Sequence, residues 1–118
     1  MIAKVIKMDE ILKQSLLYDF YGELLTKHQK EIYEQFIIED LSLSEIAKDA
    51  GISRQGVHDL IKRCNKILEE YEEKLHLVER FLTIKEKVHQ MNDLLEEAEQ
   101  SQSIQKIRKI SGEIIEEL

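Results

Sequence analysis

From Ser53 to Leu68 the chain sets four cations, Arg54, Lys62, Arg63 and Lys66, against one anion, Asp59. Gathered cations neutralise phosphates and release counterions, and the neighbours Arg54 and Gln55 carry paired hydrogen-bonding groups that match base edges, Arg to guanine and Gln to adenine. These residue types point to a nucleic acid as the partner, provided that a helix turns Arg54, Gln55, His58, Asp59, Lys62 and Arg63 outward together.

The stretch Leu43–Arg63, LSEIAKDAGISRQGVHDLIKR, supplies such a helix. Ser42 with Glu45 three residues on is a capping box, in which hydroxyl and carboxylate satisfy free backbone N–H groups at a helix start. Ala47 is small where a second helix must cross closely. Gly51 can take the positive φ that ends the first helix, Ile52 is expected to tuck under the turn, and Ser53 caps the next helix. Ile46, Ala50, Ile52, Val57 and Leu60 are expected to fill the wedge between the two helices. The pattern is a helix-turn-helix. The competing readings are a helical hairpin whose polar face is merely solvated, and a helix-turn-helix that has become a protein-docking unit.

Further elements must support this motif. From about Asp9 to Leu25, Ile11, Leu12, Leu16, Leu17, Phe20, Tyr21, Leu24 and Leu25 recur at helical spacing, with Gly22 marking a bend or a close contact. Thr26 with Gln29 opens a second helix carrying Ile32, Tyr33, Phe36 and Ile37 and ending near Asp40. These two helices give the motif its hydrophobic floor. Beyond Leu60, Leu68, Tyr71, Leu75, Val78 and Leu82 form a near-heptad stripe. Phe81, Ile84, Val88, Met91, Leu95 and Ala98 continue it out of phase, which predicts a break between Leu75 and Thr83, with Thr83 a candidate cap. QSQS at 100–103 reads as a loop, and Ile104, Ile107, Ile110, Ile114 and Leu118 as a last amphipathic helix.

Composition bounds the class. The 118 residues are 42% hydrophobic and 35% charged, with no Pro, no Trp and four Gly, as expected of an all-α chain large enough to fold alone. Net charge is −7, yet it is unevenly placed. Residues 1–68 carry 10 basic and 11 acidic side chains, and residues 69–118 carry 7 and 13. The division predicted is therefore a helix-turn-helix domain over 1–68 and an acidic helical extension over 69–118, which folds back as a hairpin or pairs between subunits. A weakly basic reader grips few phosphates, and a homodimer or a partner protein would remedy this. The lone Cys64 excludes an internal disulfide and reads as a partly buried apolar residue on a helix. The opening MIAKVIKMDE lacks an apolar run of signal-peptide length, and no stretch is long enough for a membrane span. A cytoplasmic location is expected.

Other chemistry finds no footing. His28, His58, His76 and His89 form no ligand pair, and Cys64 has no thiol companion for zinc. No Gly-rich phosphate loop or nucleophile elbow occurs, and Glu pairs such as Glu69 with Glu70 fit a solvated helical face. Neither an enzyme nor a cofactor is expected.

The run LTKHQKEIYEQFIIEDLSLSEIAKDAGISRQGVHDLIKR resembles region four of bacterial sigma factors. Together with the flanking SLLYDFYGELLT and KILEEYEEKL, it resembles the YlxM-like family of small bacterial helix-turn-helix proteins over nearly its whole length. That resemblance implies a DNA-binding or regulatory role, with an association to the signal recognition particle pathway inferred from gene neighbourhood. By resemblance to region four, Arg54, Gln55 and His58 face base edges in a major groove, and Lys62 and Arg63 face phosphates. Ser53 and Lys66, at either end of the same helix, are expected to join them at phosphates. Two residues depart from that pattern. Gly56 weakens the recognition helix, allowing close backbone approach or marking an undemanding reader. Asp59 either accepts from cytosine or restrains Arg63. A reader of double-stranded DNA and a non-enzymatic protein- or RNA-interacting accessory factor, its acidic helices docking on a basic partner such as a signal recognition particle component, are the two functions expected.

Overall fold

A computed structural model of the chain describes residues 10–98 and 102–118. Among these residues six α-helices follow one another, α1 (Glu10–Tyr21), α2 (Lys27–Ile37), α3 (Leu43–Ala50), α4 (Arg54–Leu75), α5 (Leu77–Glu97) and α6 (Gln102–Glu117), with a 3-10 turn at Gly22–Leu24. No strand occurs among the described residues, so the fold is all-α. The chain divides into two compact units, one reaching Val78 and the other running from Glu79 to Leu118. Of the opening MIAKVIKMDE only Glu10 lies within the described residues. No helix among them is long and apolar enough to cross a membrane.

Local chemistry fixes the helix ends. Thr26 Oγ1 accepts the Gln29 amide at 3.2 Å while Gln29 Oε1 accepts the Thr26 amide at 2.9 Å. Ser42 and Glu45 make the same reciprocal pair, both bonds at 3.1 Å, at the start of α3. Donation from the Ser42 amide, and after it from the Ser42 hydroxyl, holds the Glu45 carboxyl below its ordinary range, because the ionised oxygen is the better acceptor. The continuous helix expected up to Leu25 instead ends at Tyr21 and tightens into the 3-10 turn. Gly22 makes the close contact expected of it, since a β-carbon there would fall 2.7 Å from the Tyr18 ring. After α2 the backbone reverses through Asp40 at φ 55°, a conformation that Asp tolerates better than most residues.

The core of the first unit gathers Leu17, Tyr18 and Tyr21 of α1, Leu25 after the turn, Ile32 and Tyr33 of α2, and Ile46 and Ala47 of α3. They close over one face of α4 made of Val57, Ile61, Cys64 and Leu68, spaced four, three and four apart. Each buried tyrosine keeps its hydroxyl bonded. Tyr18 donates to Glu34, Tyr33 to Asn65 and Tyr21 to Glu72. Satisfied polar groups of this kind register the helices, since leaving one unpaired costs roughly 1–3 kcal/mol.

The break expected between Leu75 and Thr83 falls at His76, whose φ of 56° is left-handed. Neither Gly nor Pro makes it. The exposed amides of α5 are capped from elsewhere: Leu77 N–H donates to the Tyr21 hydroxyl at 3.1 Å and Val78 N–H to Glu72 Oε1 at 2.9 Å. Thr83 is no cap; it lies inside α5 and its hydroxyl donates back to the Glu79 carbonyl at 2.9 Å. Of the QSQS segment, Gln102 and Ser103 form the first turn of α6, while Gln100 and Ser101 lie outside the described residues.

Candidate nucleic-acid interface

Burying Val57, Ile61, Cys64 and Leu68 dictates what α4 exposes. Gln55, His58, Lys62 and Lys66 recur at three, four and four on the opposite face, with Asp59 and Arg63 beside them and Arg54 at the helix start, and all seven are exposed. Lys62, Arg63 and Lys66 converge on one shallow depression, shared with Asp59, Asn65 and Glu69. Glu69 is drawn off towards α1, its carboxylate 3.7 Å from Lys13 Nζ.

Two helix ends orient this face. Gly51, at φ 70°, stops α3, and its amide and that of Ile52 both donate to the Ala47 carbonyl, at 3.0 and 3.2 Å. Ser53 Oγ then accepts the Gly56 amide at 2.9 Å and starts α4. The wedge between the helices differs from the expected one. Ile46, Ala47 and Val57 are buried, but Leu60 is only half-buried, Ala50 is exposed and Ile52 is 38% exposed. Ala50 and Ile52 sit at the rim of the turn, because α4 presents its Val57 face to α1 and α2 and leaves the turn at the edge of that contact. Continuing the spacing from Val57 would have found Ile61, Cys64 and Leu68.

The two unusual residues have visible roles. A β-carbon at Gly56 would come 3.1 Å from Ser53 Oγ, so the glycine leaves room for the cap. Asp59 does not restrain Arg63: its Oδ1 accepts from Gln55 Nε2 at 3.0 Å and lies 3.6 Å from His58 Nδ1. It therefore clasps the amide of one outward residue and stands beside the ring of another. Spacing four residues apart was the signal for that bond, although Arg63 offered the same spacing on the other side.

Cys64 lies fully buried on the inner face, and burial pushes its thiol up to about 11, which leaves it without nucleophilic character at neutral pH. Among the described residues no group of three His, Cys, Asp or Glu side chains could hold a metal ion.

Capped helices, a left-handed glycine turn and a second helix with one buried and one exposed face define a helix-turn-helix protein. Residues 8–110 match the family described as "Putative helix-turn-helix protein, YlxM / p13 like", designated UPF0122, and the chain belongs to that family. It is similar to a UPF0122 protein of Thermoanaerobacter sp. (strain X514), 44% identical over 113 residues that cover 93% of this chain and 97% of that protein. A UPF0122 protein of Clostridium kluyveri is 38% identical over 108 residues, covering 92% and 97%. One from Acetivibrio thermocellus reaches 53% identity over 75 residues, 64% of either chain.

Proposed function

We propose that this chain is a non-enzymatic regulatory protein of the cytoplasm that reads double-stranded DNA as a homodimer, each copy docking α4 in a major groove as region four of a sigma factor does. Arg54, Gln55 and His58 face base edges, and Ser53, Lys62, Arg63 and Lys66 meet phosphates. The observation that carries this reading is the exposed face of α4, where cations and paired hydrogen-bonding groups stand together opposite a wholly apolar buried face. Selection from random duplex DNA at moderate salt tests it. The wild-type chain should enrich a motif, and Arg54→Ala should cost about 1–3 kcal/mol at one base position. Lack of any enrichment would remove the reading.

A second reading draws on the acidity of residues 69–118, with 7 basic and 13 acidic side chains. Such a segment favours a basic protein surface, and a component of the signal recognition particle is the partner that this reading names. Failure of the full-length chain to retain the particle's protein or RNA in a pull-down would count against it.

A further inference from the structure

The unit from Glu79 to Leu118 has very little core of its own. Arg108 Nη2 lies 3.7 Å from Glu96 Oε1, so α6 doubles back along the end of α5. Among the described residues of this unit only Val88 and Ser111 are buried. Ile84 and Met91 of α5 remain exposed, as do Ile107, Ile110 and Ile114 along α6 and Leu118 directly after it, whose amide still donates to the Ile114 carbonyl, with Ile110 at 56%. At 3.6 residues per turn these last four fall within an arc of about 80°, next to the arc that holds Ser111. Ile84 and Met91 lie beside Val88 in the same rotational sense, and because the two helices are antiparallel, both stripes turn to one side of the hairpin. Six apolar side chains, each about half exposed, present an area on the order of several hundred Å², at the upper end for a monomer surface. Two such faces together approach the roughly 1,000 Å² that a specific interface needs.

Charge decides what covers this face. The first half of α6 carries Lys106, Arg108 and Lys109, and the second half Glu113, Glu116 and Glu117. On this face of α6, whatever the net acidity of residues 69–118, a uniformly basic or uniformly acidic partner would be repelled by one half. A second copy laid antiparallel matches basic to acidic twice over, as a two-fold axis requires. Lys106 and Glu117 also lie on the same flank of the stripe, where antiparallel helices bring like flanks together.

We propose that two copies of this chain associate through the outer face of α6, antiparallel about the level of Gly112, with Ile110 of each copy against Ile114 of the other and Lys106 against Glu117. The proposal rests on the two-copy reading above and specifies its surface and orientation. Sedimentation equilibrium of the full-length chain at micromolar concentration tests it, with circular dichroism to verify that each variant keeps its helices. The wild type should be a dimer, and Ile110→Lys should weaken association at least about tenfold. Lys106→Glu should weaken it too, and the double variant Lys106→Glu with Glu117→Lys should return it to within about threefold of wild type. A monomeric wild type overturns both the two-copy reading and this surface. A wild-type dimer that survives Ile110→Lys overturns the surface alone, and failure of the charge exchange to restore association overturns the antiparallel register.

Discussion

Tyr21 on α1 donates its hydroxyl to Glu72 on α4 at 2.5 Å, and the pair together caps the start of α5. The hydroxyl also accepts the Leu77 amide, and the carboxylate accepts the Val78 amide. Two side chains from different helices thereby complete the turn that the left-handed His76 opens. The position where α4 ends is set by tertiary structure.

Tyr21→Phe keeps the ring, which stacks 6.0 Å from Tyr71, and removes only the hydroxyl. The Leu77 amide then loses its acceptor and Glu72 one of its donors, so the expected loss is about 1–3 kcal/mol with an unchanged denaturant slope. Urea unfolding monitored by circular dichroism measures it. A variant as stable as wild type would show that this bond contributes nothing to the junction.

Gly51 tests the other turn. No neighbouring atom lies within 4 Å of the place where its β-carbon would be, so Gly51→Ala meets no steric clash from other residues. Its φ of 70° nonetheless places an alanine in the left-handed region, which costs about 1–2 kcal/mol. The same substitution at Gly112, which also has open space around it and lies inside α6, should instead stabilise by several tenths of a kcal/mol to about 1. Opposite signs in thermal melts of the two variants are the expected result, and equal signs would contradict the account of the turn.

What was legible in the sequence is what neighbours in the chain decide. Thr26 with Gln29, Ser42 with Glu45, the glycine at 51 and the cap at Ser53 are each complete within a few residues, so residue type and spacing suffice. Ala50 and Ile52 were misread because their burial depends on which face of α4 meets α1 and α2, and that is settled by Leu17, Tyr21 and Tyr33. The junction at His76 carried a change of phase but no cause, since the hydroxyl that caps Leu77 lies 56 residues away. In the candidate interface the outward set on α4 was legible from periodicity. The choice of Asp59 between Gln55 and Arg63 was not, because both lie four residues from it.

Alkaline pH should unfold the first unit earlier than its composition implies. Burial, reinforced by the Glu72 bond, pushes the Tyr21 hydroxyl up to about 12, and burial raises Tyr18, Tyr33 and Cys64 as well, the thiol to about 11. Each group holds its proton more tightly folded than unfolded. Their contribution is therefore complete below the unfolded values, 9.0 for the thiol and 10.0 for the hydroxyls, and is lost as pH rises through the folded ones. Urea midpoints should be flat up to about pH 9 and fall steadily above it. Tyr21→Phe should shallow that fall, and an unchanged slope would remove Tyr21 as a contributor.

Asp59 separates charge from positioning on the candidate DNA face. Asp59→Asn retains an acceptor for the Gln55 amide and removes the one anion among Arg54, Lys62, Arg63 and Lys66, whereas Asp59→Ala removes both. Relief of phosphate repulsion at an exposed site is worth about 0.5–1 kcal/mol, so both variants should bind duplex DNA about two- to fivefold more tightly. Only Asp59→Ala should also blur the base preference at the position that Gln55 is proposed to read, because the amide is then free to rotate. Lys62→Ala should weaken all duplexes alike and lower the salt slope by about one. Fluorescence anisotropy with the selected duplex and a single-base variant, across a salt series, reads all three. If Asp59→Asn weakens binding, the carboxylate itself touches a base, and the clasp on Gln55 is incidental to recognition.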